Sequence, residues 1–126
     1  LLLGLGCGLL VNNILVVNNY SDLDEDRAAR KRTLVVFFGR RFAQIQYYVS
    51  ALVAGAVMLS FWAIGYGPFV FVALLPVVYA LILGGRLSVA EGPSDFLEAL
   101  KGSAKVVASY GVLFSAGLVL GAIFEG

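Results

Sequence analysis

The chain has 126 residues, 60% of them hydrophobic, with nine basic and eight acidic side chains and a formal net charge of +1; its mean hydropathy is +0.92. A chain this short cannot hide so much apolar surface inside one soluble core, so composition argues against a water-soluble domain and for a membrane protein. There is no histidine and one cysteine, Cys7, which excludes His-based triads, His metal sites and internal disulfides, and basic residues grouped beside apolar spans leave no nucleic-acid-binding face to expect.

Residues 1 to about 20 read as the first span. The start, Leu-Leu-Leu-Gly, carries neither Met nor a charged segment, so it is expected to be a fragment entered inside a helix rather than a signal peptide. Asn12, Asn13, Asn18 and Asn19 interrupt the span, and amides in a membrane helix face partners or a cavity because lipid offers them none. On a continuous helix at 100° per residue, Asn12, Asn19, Asp22 and Asp26 fall within an arc of about 80°, a polar stripe leading into the next segment.

That segment, residues 18–39, concentrates charge at one membrane edge: four of the eight acids and four of the nine bases lie in it. Asp22 and Asp26 are one helical turn apart, a spacing that lets two carboxylates share a divalent cation, and magnesium needs only one or two carboxylates when phosphate oxygens complete its shell. Arg30-Lys31-Arg32 follows at once and offers charge to the same phosphates. Together these residues read as a diphosphate site. An EF-hand reading of Asp22-x-Asp24-x-Asp26 fails, since Arg27 stands where Gly is needed and Thr33 where Glu is needed. The bland alternative is a solvated charged loop capped by Ser21 or Asp22, with its cations serving as topology signals.

The second span is expected over 42–64, about 34 Å as helix, with Gln44, Gln46, Tyr47 and Tyr48 at its motif end and the tyrosines in an aromatic belt. Gly65-Tyr66-Gly67-Pro68 reads as a tight turn. A third span over about 68–85 carries Pro76, expected to kink it. Residues 85–102 form a second polar connector with a short helix capped at Ser94-Asp95, where Glu91, Asp95 and Glu98 serve solvation. The last span covers about 103–124. Four spans place the motif and the 85–102 connector on one side, with all nine cations on or near it, and the 65–68 turn and Glu125 on the other. The positive-inside rule makes the first side cytoplasmic.

The string Val17-Asn18-Asn19-x-x-Asp22-x-x-x-Asp26-x-x-x-x-Lys31-Arg32-Thr33-Leu34, closed by Gly39, resembles the second aspartate-rich motif of the UbiA-type membrane prenyltransferases. It is most similar to the menaquinone branch that prenylates 1,4-dihydroxy-2-naphthoate. The chain departs from that pattern at Ser21, where the family often has Arg, and at Arg30, where it usually has Gly, which bears on the turn after Asp26. The resemblance implies an all-α polytopic membrane bundle, with this chain supplying about four helices of a nine-helix fold. It implies transfer of a polyprenyl group from polyprenyl diphosphate to an aromatic acceptor. Asp22 and Asp26 would hold Mg2+, Lys31 and Arg32 the diphosphate, and Asn18 and Asn19 would contact substrate. The family's first motif, Asn-Asp-x-x-Asp-x-x-x-Asp, does not occur in the 126 residues, so N-terminal helices carrying it are expected as partners and the chain alone is expected to be inactive. A 4-hydroxybenzoate, homogentisate or glycerol-phosphate lipid acceptor, and a non-catalytic membrane subunit, stay open as alternatives.

Overall fold

A computed structural model describes residues 1–124, and the expectation for Glu125 lies outside them. The described chain is an all-α bundle: α1 (Leu2–Ser21), α2 (Leu23–Ala28), α3 (Leu34–Phe38), α4 (Arg40–Phe61), a π-helical turn (Trp62–Tyr66), a 3-10 stretch (Pro68–Ala73), α5 (Leu74–Leu87) and α6 (Pro93–Phe124). Three helical runs, Arg40–Tyr66, Pro68–Leu87 and Pro93–Phe124, are long and apolar enough to cross a membrane. Their outward residues include Ile45, Val49, Leu52, Val78, Ile82, Val112 and Val119, a surface suited to lipid rather than water.

The inner faces meet through buried aromatics and small residues. Tyr47, Met58, Tyr110 and Phe114 are fully enclosed. Ser103 Oγ donates its one proton to the Ala99 carbonyl (2.8 Å), so the 2.6 Å bond it shares with Tyr47 Oη has the phenol as donor and ties α4 to α6. Tyr110 Oη donates to the Ala54 carbonyl at 2.7 Å. Tyr47 therefore does not stand in an interfacial belt as expected. Its ring fills the bundle core because a hydroxyl partner waits across the helix interface. Gln44 Nε2 donates to the Gly84 carbonyl (3.0 Å) and fixes the start of α4 beside the end of α5, so the Asp22 segment and the α5–α6 connector share one end of the bundle.

Two helix boundaries differ from the sequence reading. The last helix begins at Pro93, ten residues before 103, and runs unbroken: at Gly102 α6 presses on α5, since a Cβ there would come within 2.8 Å of Leu83 Cδ1. Pro93 opens this helix, where a missing N–H costs nothing, and Asp95 Oδ2 accepts from the Glu91 N–H at 3.1 Å. Pro76 does not kink a helix interior. It is the third residue of α5, placed in the first turn, where α-helix takes over from the 3-10 stretch. The turn at 65–68 forms as expected, with Gly65 at φ 110° and Gly67 at φ 87°, values that glycine adopts freely.

Candidate functional site

The polar stripe of α1 reaches Asp22, whose φ −94° and ψ 9° separate α1 from α2. No side chain caps α2; Ser21 Oγ instead donates back to the Asn18 carbonyl at 2.9 Å. The charged segment is thus helical up to Ala28 rather than a capped loop. Its Asp26 N–H still reaches the Asp22 carbonyl (2.7 Å), so the bend is slight, yet the two acids differ in exposure. Asp22 stays exposed while Asp26 is 7% exposed.

α2 ends in a Schellman motif. The Arg30 N–H donates to the Arg27 carbonyl (3.1 Å) and the Lys31 N–H to the Asp26 carbonyl (2.9 Å), the 5→2 and 6→1 pairs that close a helix through a left-handed residue. That residue is Arg30, at φ 58°, the position where the resembled motif carries glycine. The reversal sets Lys31 Nζ 3.6 Å from Asp26 Oδ1. Arg32 is exposed, and Thr33 Oγ1 then caps α3 by accepting from the Val36 N–H at 3.1 Å.

Asn18 and Asp22 line one wall of a groove of about 410 Å³, joined by Val17, Ser21 and Glu25; Glu91, Gly92 and the first turns of α6 at Phe96, Leu97 and Leu100 form the other. Contacts among four helices hold its surroundings together. Arg40 lies 5.4 Å from the Tyr20 ring centre and 3.6 Å from Asp24, and Tyr20 meets Phe96 at 5.9 Å. The structure thus brings Asn18 to Asp22 and Lys31 to Asp26. Asn19 is half-buried, and neither it nor Asp26 is among the groove's lining residues. Asn13 is turned fully inward, its Nδ2 donating to the Tyr47 carbonyl at 3.2 Å. Sequence reasoning missed Glu25, Glu91 and Phe96 as groove residues. Glu91 and Phe96 arrive only because α6 begins early and folds back over α1.

Among the described residues no three acidic or sulfur side chains converge as a metal cage. Magnesium does not require one, since it keeps waters and phosphate oxygens alongside one or two carboxylates. The exposed Asp22 carboxylate beside Asn18 and Glu25 fits such an oxygen-donor role. Asp26 is buried and paired to Lys31.

Residues 1–95 match the family model described as the UbiA prenyltransferase family. The 1,4-dihydroxy-2-naphthoate octaprenyltransferase of Haemophilus influenzae is 28% identical over 120 residues, 93% of this chain and 38% of that protein. The enzyme of the same name from Bacillus subtilis is 26% identical over 126 residues, 95% of this chain and 39% of that protein. The chain spans about two fifths of the length of these curated relatives. No solved structure matches it.

Proposed function

The chain belongs to the UbiA prenyltransferase family, and from that premise we propose that it supplies the diphosphate-binding half of a magnesium-dependent aromatic prenyltransferase acting in menaquinone synthesis. The observation that carries this reading is the groove at the motif end, where Asn18 and Asp22 stand on one wall with the Lys31–Asp26 pair on the following turn.

In the proposed reaction the allylic carbon–oxygen bond of a polyprenyl diphosphate breaks and its electron pair leaves with the diphosphate. An electron-rich ring carbon then forms the new carbon–carbon bond; for a dihydroxynaphthoate, carbon dioxide departs from that carbon. When bound, magnesium held by Asp22 and Asp26 supplies charge neutralisation and orientation of the diphosphate. Lys31 and Arg32 hold negative charge as it accumulates on the leaving group. Asn18, on the groove wall, and Asn19 supply amide contacts to substrate. Phe96, Leu97 and Leu100 keep water from the opposite wall and give the isoprenoid an apolar surface.

Helices N-terminal to this chain would bring the other aspartate motif, so the 126 residues alone are inactive in this reading. The motif end faces the cytoplasm, because the basic residues cluster there. In the protein at the length its gene encodes, Asp22→Ala is expected to lower magnesium-dependent prenyl transfer by about 100-fold or more. Undiminished transfer would assign the chain to a non-catalytic role. Offering dihydroxynaphthoate against 4-hydroxybenzoate, homogentisate and a glycerol-phosphate lipid then separates the acceptors. The names of the two relatives favour the naphthoate, whereas Ser21 and Arg30 depart from its pattern.

A further inference from the structure

A second and larger cleft, of about 460 Å³, opens on the other flank of α6. Arg86, Lys101 and Lys105 line it together with Tyr79, Leu83, Val89, Ala99 and the acids Asp95 and Glu98. The prenyl-transfer reading makes no use of it. Arg86 comes from the last turn of α5, while Lys101 and Lys105 stand one turn apart on α6 and project to the same side. None of the three belongs to either ion pair found among the described residues. Three cations face the two acids Asp95 and Glu98 in the lining, so the cleft carries a formal charge of +1.

Depth decides what class of anion suits it. Tyr79 lies seven residues before Arg86 on α5, about 10 Å of helix, and Lys105 sits about 6 Å further into the bundle than Lys101. The cleft therefore descends from the charged rim along the α5–α6 seam, and beside the seam Val78 and Ile82 are exposed. A free phosphate would use the rim alone. A molecule with an anionic head and apolar tails uses both parts, and basic pockets between membrane helices hold anionic headgroups for that reason.

We propose that the Arg86–Lys101–Lys105 cleft is a binding site for an anionic glycerophospholipid, its phosphate at the three cations and its acyl stems along the Tyr79–Leu83 seam. The site is separate from the Asp22 groove, with the first turns of α6 between them.

The test is native mass spectrometry of the protein at its encoded length, delipidated and offered phosphatidylglycerol or phosphatidylcholine in equal amounts. The native protein is expected to retain phosphatidylglycerol several-fold over phosphatidylcholine, and Lys101→Gln/Lys105→Gln to lose most of that preference. Arg27→Gln/Arg41→Gln, which removes as many cations from the same bundle end outside the cleft, is expected to keep it. Equal retention of the two lipids, or equal loss in both double variants, would overturn the proposal. Displacement of the lipid by millimolar inorganic phosphate would overturn it too, since the rim alone would then suffice. Arg86→Gln, a single exposed change, is expected to give a smaller loss in the same direction, and no loss from a folded Arg86→Gln protein would also count against the cleft.

Discussion

Lys31 meets Asp26 twice: its backbone N–H donates to the Asp26 carbonyl at 2.9 Å, and its ammonium lies 3.6 Å from the Asp26 carboxylate. The first contact fixes the turn and so places the second. The position of the charge is therefore set by the main chain, while the side chain stays two-thirds exposed and ready for another anion.

Lys31→Gln should therefore separate binding chemistry from stability. An ion pair with so exposed a partner contributes below about 1 kcal/mol, so the thermal midpoint in detergent is expected to move little. The kcat/KM for prenyl diphosphate is expected to drop by about 10- to 100-fold, because a cation on the leaving group is gone. Equal losses in both measurements would make the lysine merely structural.

Arg30→Gly is expected to stabilise the protein. An L-residue at φ 58° costs roughly 1–2 kcal/mol, of which the greater freedom of glycine in the unfolded chain takes back part. A net gain of about 0.5–1 kcal/mol should appear in detergent unfolding curves, and Arg30→Val, branched at Cβ, should lose stability instead.

Two glycines of α6 should respond in opposite ways to alanine. A Cβ on Gly117 would lie 2.5 Å from the Phe69 carbonyl oxygen and 2.9 Å from Val70 Cα, backbone atoms that cannot swing aside, so Gly117→Ala is expected to cost about 1–3 kcal/mol. Gly111 has nothing within 4 Å of such a Cβ, and Gly111→Ala is expected to be neutral or to gain up to about 1 kcal/mol from helix propensity. Paired melting curves decide it.

Tyr110→Phe removes the 2.7 Å bond to Ala54 while keeping the ring that meets Phe114 edge-on at 5.4 Å. The expected cost is about 1 kcal/mol. Tyr110→Ala should cost about 3–5 kcal/mol through the cavity it leaves, and a similar loss in both variants would mean the hydroxyl, not the ring, holds α6 to α4.

The membrane class, the glycine turn at 65–68 and the acid–base segment were legible because each rests on local chemistry: apolar length, glycine and proline content, charge spacing. What was not legible depends on contacts between distant segments. Tyr47 looked interfacial until Ser103 appeared opposite it, and the last span seemed to start at 103 because the packing of Gly102 against Leu83 leaves no mark in the sequence. The burial of Asp26 beside an exposed Asp22 depends on tertiary packing, which a 100° wheel does not register. Glu91 had no local signal at all, since its place on the groove depends on where α6 starts.

The glycines of α6 also make the two ends of the bundle mechanically unequal. Near the 65–68 turn, main chain touches main chain at Gly117 and Phe69, which acts as a fulcrum with almost no slack. At the opposite end a hollow flanks the helix on each side. α6 is thus clamped hardest beside the 65–68 turn and runs with free volume along both sides at the charged end.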